Sequence, residues 1–402
     1  MKFYSIFILM TSLFIFSCTR KAETYDNYVI LVSLDGCRWD YPDKYEMPNL
    51  AAMAVEGVKA EHLVSSFPTK TFPNHYSIAT GLYPDNHGLI NNTFYAPDLD
   101  LMYSMGNRDM VENPDFYGGE PIWNTAEKQD MITASFFWVG SEAPVQGIQP
   151  TYWKGYDGSI TFDARIDTVI HWLELPLHKR PRLILLYFHQ PDAIGHDFGP
   201  DHEETGKVVT EMDHLLGELR NKIGQLPYGD RVNMIVTSDH GMGAVSPERY
   251  VNMNDHVVQE WIETVIGGNP VYLVDALEGF EDSVVINLNS VDGISAWRKG
   301  DVPSHMNYGS NKRIPDIVVT ADSSWSVGLK PDPSGYTGGS HGYDNMNPDM
   351  HSIFYATGPA FKKSYLHAPF ENVDIYPLIA HILRLEPADT DGNLKDVEGM
   401  LK

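Results

Sequence analysis

Cysteine is nearly absent: the 402 residues contain two, Cys18 and Cys37. That excludes a scaffold stapled by several disulfides, and a chain this long needs none, because it can bury a large core. Basic residues are scarce, with 29 Lys and Arg against 54 Asp and Glu, a net charge of −25. This argues against nucleic-acid polymers and anionic membrane surfaces as partners. No apolar run is long enough to span a bilayer comfortably; the N-terminal one, Phe3 to Phe16, is too short. Internal repeats and low-complexity tracts are also missing.

The N-terminal run follows Lys2 and ends in Ile15-Phe16-Ser17-Cys18, which resembles a signal peptide. The small residue before Cys18 looks like a bacterial lipobox, although Phe16 is bulkier than usual. The expectation is a leader over residues 1–17 and a lipidated Cys18. Residues 18–27 then form a polar tether, and the protein is exported to the cell envelope and held at its membrane. Cys37 is then the one remaining thiol, and no intrachain disulfide is possible. A plain secretory signal cleaved nearby is the alternative.

What the chain does contain is three acidic and histidine groups at the ends of apolar segments. Tyr28–Leu34 runs into Asp35-Gly36, Leu183–Phe188 into Asp192 and His196, and Val232–Ser238 into Asp239-His240-Gly241. Gly339-Ser-His341-Gly342 adds a further imidazole. Apolar runs of this length, bounded by turn signals, read as strands of a mostly parallel sheet covered on both faces by helices. Ligands in such α/β sheets collect at the carboxyl ends of the strands, so these side chains should converge. Three carboxylates and three imidazoles together make two mixed nitrogen–oxygen metal sites, most naturally for zinc, and paired metals suit in-line displacement at phosphorus. Taken singly, each has a plainer use: a strand-end Asp caps the next helix, and Asp192 with His196 makes a helix-face pair. The other histidines, His75, His87, His189 and His202 among them, are given no metal role.

Between the first two groups lies Phe67-Pro-Thr-Lys70-Thr71-Phe72-Pro73-Asn74-His75, read as a loop entering a short helix near Pro73. Thr71 falls at the helix start, where free N–H groups and the positive dipole end favour an anion. Metal coordination can activate such a hydroxyl as a nucleophile; otherwise Thr71 is simply the N-cap. Helices are expected near Thr161–Leu175 and Glu203–Ile223. The stretch from about 250 to 323 is expected to form a smaller subdomain with strands such as Ser283–Leu288, inside one domain spanning 28–402. Lys330–Gly335 reads as a loop leading His341 into the site.

The segment Lys70 to Pro84, taken with Asp35-Gly36, Pro191-Asp192-x-x-Gly195-His196, Ser238 to Met242 and Gly339 to Gly342, resembles the nucleotide pyrophosphatase/phosphodiesterase family of the alkaline phosphatase superfamily. The resemblance covers essentially all of residues 28–402 and is to the catalytic domain, without the modules that flank it in animal relatives. It implies an alkaline-phosphatase-like α/β fold. Asp192, His196 and His341 would hold one zinc ion, and Asp35, Asp239 and His240 the other, with Thr71 bridging them as nucleophile. Asn92 and the backbone N–H of Phe72 would hold a non-bridging phosphate oxygen. The nucleoside pocket maps onto Phe72, Met105, Trp138, Tyr156 and Tyr187, with Glu142 reading a base amino group through water. Arg108 stands as the replacement for a pocket lysine of relatives whose loop differs in length.

Sulfatases of the superfamily carry Cys or Ser in a C/S-x-P-x-R context, which Cys37-Arg38-Trp39 does not match. Phe72 beside Thr71, in place of an arginine clamp, favours diesters over a phosphate dianion. The reading is a zinc-dependent phosphodiesterase with two zinc ions per chain, acting on a small nucleotide substrate. It would cleave pyrophosphate and phosphodiester bonds through a nucleotidyl-threonine intermediate and release nucleoside 5′-monophosphates. The rivals are a phospholipid-headgroup phosphodiesterase acting on choline esters and a catalytically silent surface lipoprotein that binds glycans or nutrients.

Overall fold

The computed structural model describes residues 27–402; the expected leader, Cys18 and nearly all of the tether lie outside the described residues. Eight strands form the main sheet. At its centre Tyr28–Leu34 pairs in parallel with Leu183–Phe188 on one side and Val232–Thr237 on the other. The three segments read as strands are therefore neighbours, and in register: Leu34 lies opposite Phe188 and Ser33 opposite Thr237. Beyond Leu183–Phe188 come Thr133–Phe136 and Tyr152–Lys154, both parallel. On the far side Phe354–Thr357 runs antiparallel to Val232–Thr237, followed by Val58–Ala60 and Tyr365–His367.

Strand alternation in the main sheet sets one core on each of its faces. Val29 and Leu31 pack on one face with the helices Thr71–Thr80 and Ile375–Leu383. Tyr28, Ile30, Val32 and Leu34 pack on the other with Pro48–Glu56, Phe162–Glu174 and Glu203–Gly224. Both long helices expected from spacing are present. The Thr161 hydroxyl caps the first, accepting from the Ala164 N–H at 3.4 Å, while Ile166, Val169 and Leu173 turn inward.

A separate four-stranded antiparallel sheet is built from Ile262–Gly268, Val271–Ala276, Ile294–Arg298 and Ile317–Ala321. Ser283–Leu288, expected as a strand, is instead part of the helix Glu281–Leu288 that covers this sheet. Its six residues hold too little apolar sequence to separate the two periods. Val284 and Leu288, four apart, are the buried pair, Ile286 faces solvent, and Glu281 and Asp282 occupy the favourable first turn.

Candidate active site

Three strand ends deliver the acidic groups to one place. The Asp35 N–H donates to the carbonyl of Phe188 at 3.0 Å, and the Asp192 N–H to the carbonyl of Asp35 at 2.9 Å, which locks the first two loops together. Gly36 lies in the left-handed region with φ +68°, and a Cβ there would stand 2.9 Å from Asp192 Cα, so this crossing requires glycine. Gly241 is required by close packing rather than by its backbone conformation. Its φ is ordinary, but a Cβ would lie 2.1 Å from the carbonyl oxygen of Asp349. Asp192 and His196 occupy one face of the helix Asp192–Phe198. Gly339–Ser340 pairs with Gly243–Ala244 and so carries His341 to the loop that follows Asp239-His240.

The six side chains form two clusters, Asp192 with His196 and His341, and Asp35 with Asp239 and His240; within each, the ligand atoms lie within 4.8 Å of one another. The clusters adjoin through the His240 and His341 rings, stacked at 3.5 Å between centroids. Each imidazole is oriented alike: Nδ1 donates to a backbone carbonyl, that of Gly241 from His240 (2.8 Å), of Thr69 from His341 (2.8 Å) and of Gly339 from His196 (2.9 Å). The tautomer so fixed points an Nε2 lone pair into the site. Facing those nitrogens are three buried carboxylate oxygens with no hydrogen-bond partner, Asp35 Oδ1, Asp192 Oδ1 and Asp239 Oδ2. Asp239 Oδ2 is 3.0 Å from His240 Nε2, and Asp192 Oδ1 is 3.4 Å from His196 Nε2. Lone pairs aimed at lone pairs in a buried site repel unless a cation lies between them, so the residues present fit a metal ion at each cluster. The same crowding shows in proton affinity. Burial, with Asp239 and Asp192 nearby, pushes the Asp35 carboxyl well above its usual range.

Thr71 opens the helix Thr71–Thr80, with Lys70 rather than Thr71 at the N-cap. The hydroxyl of Thr71 lies 3.2 Å from His240 Nε2. Behind it, His75 donates from Nδ1 to the Thr71 carbonyl at 2.9 Å, and the same nitrogen is 3.3 Å from Asp239 Oδ2. Asn74 ties the entering loop down, donating to the carbonyls of Ser66, Pro68 and Lys70. A cavity of about 490 Å³ opens from this point, with Asp35, Thr71 and Asp192 at one end and aromatic side chains along its walls.

A family model for type I phosphodiesterase/nucleotide pyrophosphatase matches residues 29–344. The chain belongs to that family. It is 36% identical over 389 residues to the venom phosphodiesterase CdcPDE of Crotalus durissus collilineatus, covering 93% of this chain and 46% of that one. It is 32% identical over 402 residues to human ectonucleotide pyrophosphatase/phosphodiesterase family member 5, covering 100% of this chain and 83% of the relative. The chain thus spans about half the length of the venom enzymes and more of the human one. Among solved structures, an inactive threonine-to-alanine variant of murine family member 5 in complex with AMP matches with a TM-score of 0.89 at 32% identity. That match covers 94% of this chain and 100% of the other.

In this phosphodiesterase-family chain, the cavity brings together Phe72, Met105, Arg108, Glu142, Tyr156 and Tyr187, but not Trp138. The Trp138 ring is wholly buried and its Nε1 donates to the His75 carbonyl at 2.9 Å. The reason is local: Phe137 adopts φ +71°, which breaks the strand alternation and turns its own ring to the cavity and Trp138 to the core. A left-handed phenylalanine leaves no signal in a sequence. Arg108 Nη1 donates to Glu142 Oε1 at 3.2 Å, its Nη2 contacts Glu142 Oε2, and the Tyr156 N–H donates to that oxygen at 3.0 Å. Arg108 and Glu142 thus form one polar edge among the aromatic walls. The Phe72 N–H, expected to meet a phosphate oxygen, instead donates to Asn92 Oδ1 at 3.0 Å. With Oδ1 holding the Phe72 N–H, the Asn92 amide has its Nδ2 hydrogens as the donors to offer an anionic ligand. Val139 and His189 also line the cavity, unanticipated from sequence, and the half-buried Lys70, next to Thr71 in the chain, donates to the Asn269 carbonyl at 2.7 Å. Burial lowers the Lys70 ammonium to about 8, a shift that Asp192 opposes.

Proposed function

We propose that the protein is a phosphodiesterase with two zinc ions that hydrolyses nucleotide pyrophosphate and phosphodiester bonds through a covalent threonine intermediate. The observation that carries this reading is the set of three orphaned carboxylate oxygens facing three pre-oriented imidazoles beside Thr71. Bound zinc would supply Lewis-acid charge, lowering the proton affinity of the Thr71 hydroxyl and offsetting the charge of a phosphoryl group. Thr71 then attacks the α-phosphorus: the Oγ–P bond forms as the bond to pyrophosphate or an alcohol breaks. Water cleaves the nucleotidyl-threonine in the second half, releasing a nucleoside 5′-monophosphate and restoring the hydroxyl.

The chain's own residues divide the remaining work. Asn92 Nδ2 is free to donate to a non-bridging oxygen, held for that purpose by the Phe72 N–H. Phe72 and Tyr156 offer ring faces to a base, and the Glu142–Arg108 edge offers an acceptor and a donor to its polar rim. The one arginine lining the cavity is already bound to Glu142, so no guanidinium clamp awaits a phosphate dianion, which favours diesters. The murine relative held with AMP and inactive as a threonine-to-alanine variant supports both the ligand class and the nucleophile. Export, with Cys18 as a lipid anchor, is proposed from the N-terminal sequence. Among the described residues no helix is long and apolar enough to cross a membrane.

The test is hydrolysis by the purified protein of ATP, a dinucleoside polyphosphate, p-nitrophenyl-thymidine monophosphate and glycerophosphocholine. The expected result is nucleoside monophosphate from the first three at rates above that on the fourth. Preference for glycerophosphocholine would replace the nucleotide reading with the lipid-headgroup one.

A further inference from the structure

Arg165 is the most unusual charge in the molecule. It sits on the helix Phe162–Glu174, its side chain is wholly buried, and no carboxylate lies within ion-pair distance of it among the described residues. Buried charges are normally paired. Here the guanidinium is compensated differently, lying 4.9 Å from the ring centres of both Phe137 and Phe162. Its donors go to the carbonyl of Ile160 (3.2 Å), the carbonyl of Tyr187 (2.9 Å) and Nδ1 of His189 (3.4 Å).

That last contact has a chemical consequence for His189. A guanidinium has donors and no acceptor, so Nδ1 of His189 must present its lone pair to Arg165, and the ring proton sits on Nε2. The imidazole leans on Phe162 at 5.0 Å and forms part of the cavity wall together with Tyr187 and Asp192. Burial and the adjacent guanidinium both lower its proton affinity, which keeps it neutral. His189 is therefore a fixed single donor, and its side chain lines both the substrate cavity and the neighbouring cleft beside Phe162 and Glu211. Asp192, of the candidate metal cluster, and the aromatic residues Tyr187 and Phe137 line the same cavity.

We propose that His189 Nε2–H donates to a ribose hydroxyl oxygen of the bound nucleotide, and that Arg165 is the positioning residue that fixes its tautomer and orientation. The inference rests on the nucleotide reading above: if the phosphorus lies at Thr71 and the base against Phe72 and Tyr156, the ribose joins them beside His189. Loss of one such hydrogen bond corresponds to about a three- to ten-fold rise in KM. In the discrimination between ATP and its deoxy forms Arg165 acts through His189, so its removal changes that ratio no further once His189 is gone.

The experiment measures kcat and KM for ATP, 2′-deoxy-ATP, 3′-deoxy-ATP and bis-p-nitrophenyl phosphate. The proteins are wild type, His189→Ala, His189→Gln, Arg165→Lys and the double variant Arg165→Lys/His189→Ala. Wild type should favour ATP over one of the deoxy forms, and His189→Ala should erase that discrimination by raising KM for ATP, with a smaller loss on bis-p-nitrophenyl phosphate. His189→Gln, which keeps a donor, should recover part of it, and the double variant should match His189→Ala. Equal losses of His189→Ala on all four substrates, or a further change in the ratio of ATP to its deoxy forms in the double variant, overturn the assignment. Should Arg165→Lys fail to fold, the contrast between alanine and glutamine at position 189 decides alone. A wild type with no preference for nucleotides over bis-p-nitrophenyl phosphate defeats the nucleotide reading and this inference with it, whereas nucleotide preference with uniform His189 losses defeats this inference only.

Discussion

The hydroxyl of Tyr187 donates to Asp35 Oδ2 at 2.5 Å, and the other oxygen of that carboxylate, Oδ1, is left without a partner and directed at His240 Nε2, 3.4 Å away. The phenol thus holds one oxygen of a candidate metal-ligating carboxylate so that the other is presented, while its ring lines the cavity. Removing an outer hydrogen bond of this kind commonly costs about 10–100-fold in metal affinity. Tyr187→Phe should therefore weaken zinc binding at one site by that order, measured by competition with a chromophoric chelator. Unchanged zinc affinity would leave Tyr187 as a pocket wall only.

Metal content tests the two clusters separately. His341→Ala and Asp192→Ala should each lose one ion preferentially, and Asp239→Ala should lose the other, because the ligand sets share no residue. Elemental analysis of the zinc-saturated wild type should give two ions per chain. One ion or none would defeat the assignment.

How much of this was legible in the sequence follows from which interactions set each feature. Five of the six candidate metal ligands follow the ends of three apolar strands that pair directly, so strand period and strand-end chemistry were enough to bring these five together, whereas His341 arrives on the separate pair Gly339–Ser340. The pocket walls depend on loops, and there reading by resemblance was mixed. Phe72, Met105, Tyr156 and Tyr187 line the cavity, while the left-handed Phe137 displaces Trp138 into the core. Arg165 was hidden altogether, because a cation on an amphipathic helix normally reads as its solvated face. Ser283–Leu288 failed for want of length, since six residues fit a strand or a buried helical turn equally well.

The aromatic grip predicts a split between substrates. Tyr156 lines the cavity 5.1 Å from Phe137 and 6.5 Å from Tyr187 between ring centres, and 44% of its surface is exposed. A base-stacking contact is worth roughly 1–3 kcal/mol. Tyr156→Ala should then lose about five- to 150-fold in kcat/KM on a nucleoside triphosphate and far less on bis-p-nitrophenyl phosphate. Equal losses on the two would assign Tyr156 to structural support.

Acid should destabilise the fold through His87, remote from the metal clusters in role. Its Nδ1 accepts from the Leu89 N–H at 3.2 Å and its Nε2 lies 3.0 Å from the Ser77 hydroxyl. Burial is the main cause that pushes it down from 6.5 to about 3. A depressed histidine favours the neutral form, so its contribution is complete above the unfolded value and is lost as pH falls from there toward the folded one. Between pH 7 and pH 5 the wild type should lose about 2 kcal/mol more stability than His87→Gln, read from denaturant midpoints at the two pH values. Equal losses would show that the His87 proton contributes nothing.

The central claim is that Thr71 is the nucleophile of a metal-assisted displacement, and it is tested most directly by the turnover of Thr71→Ala on ATP, measured on protein shown to hold its zinc and its fold. No other hydroxyl of the loop stands at the helix start beside the metal clusters, with its oxygen 3.2 Å from His240 Nε2. The prediction is loss of turnover with both ions retained, and partial activity in Thr71→Ser, which keeps the oxygen. Hydrolysis by the alanine variant at a rate near wild type would contradict the account, because water would then attack phosphorus directly and no nucleotidyl-threonine would form.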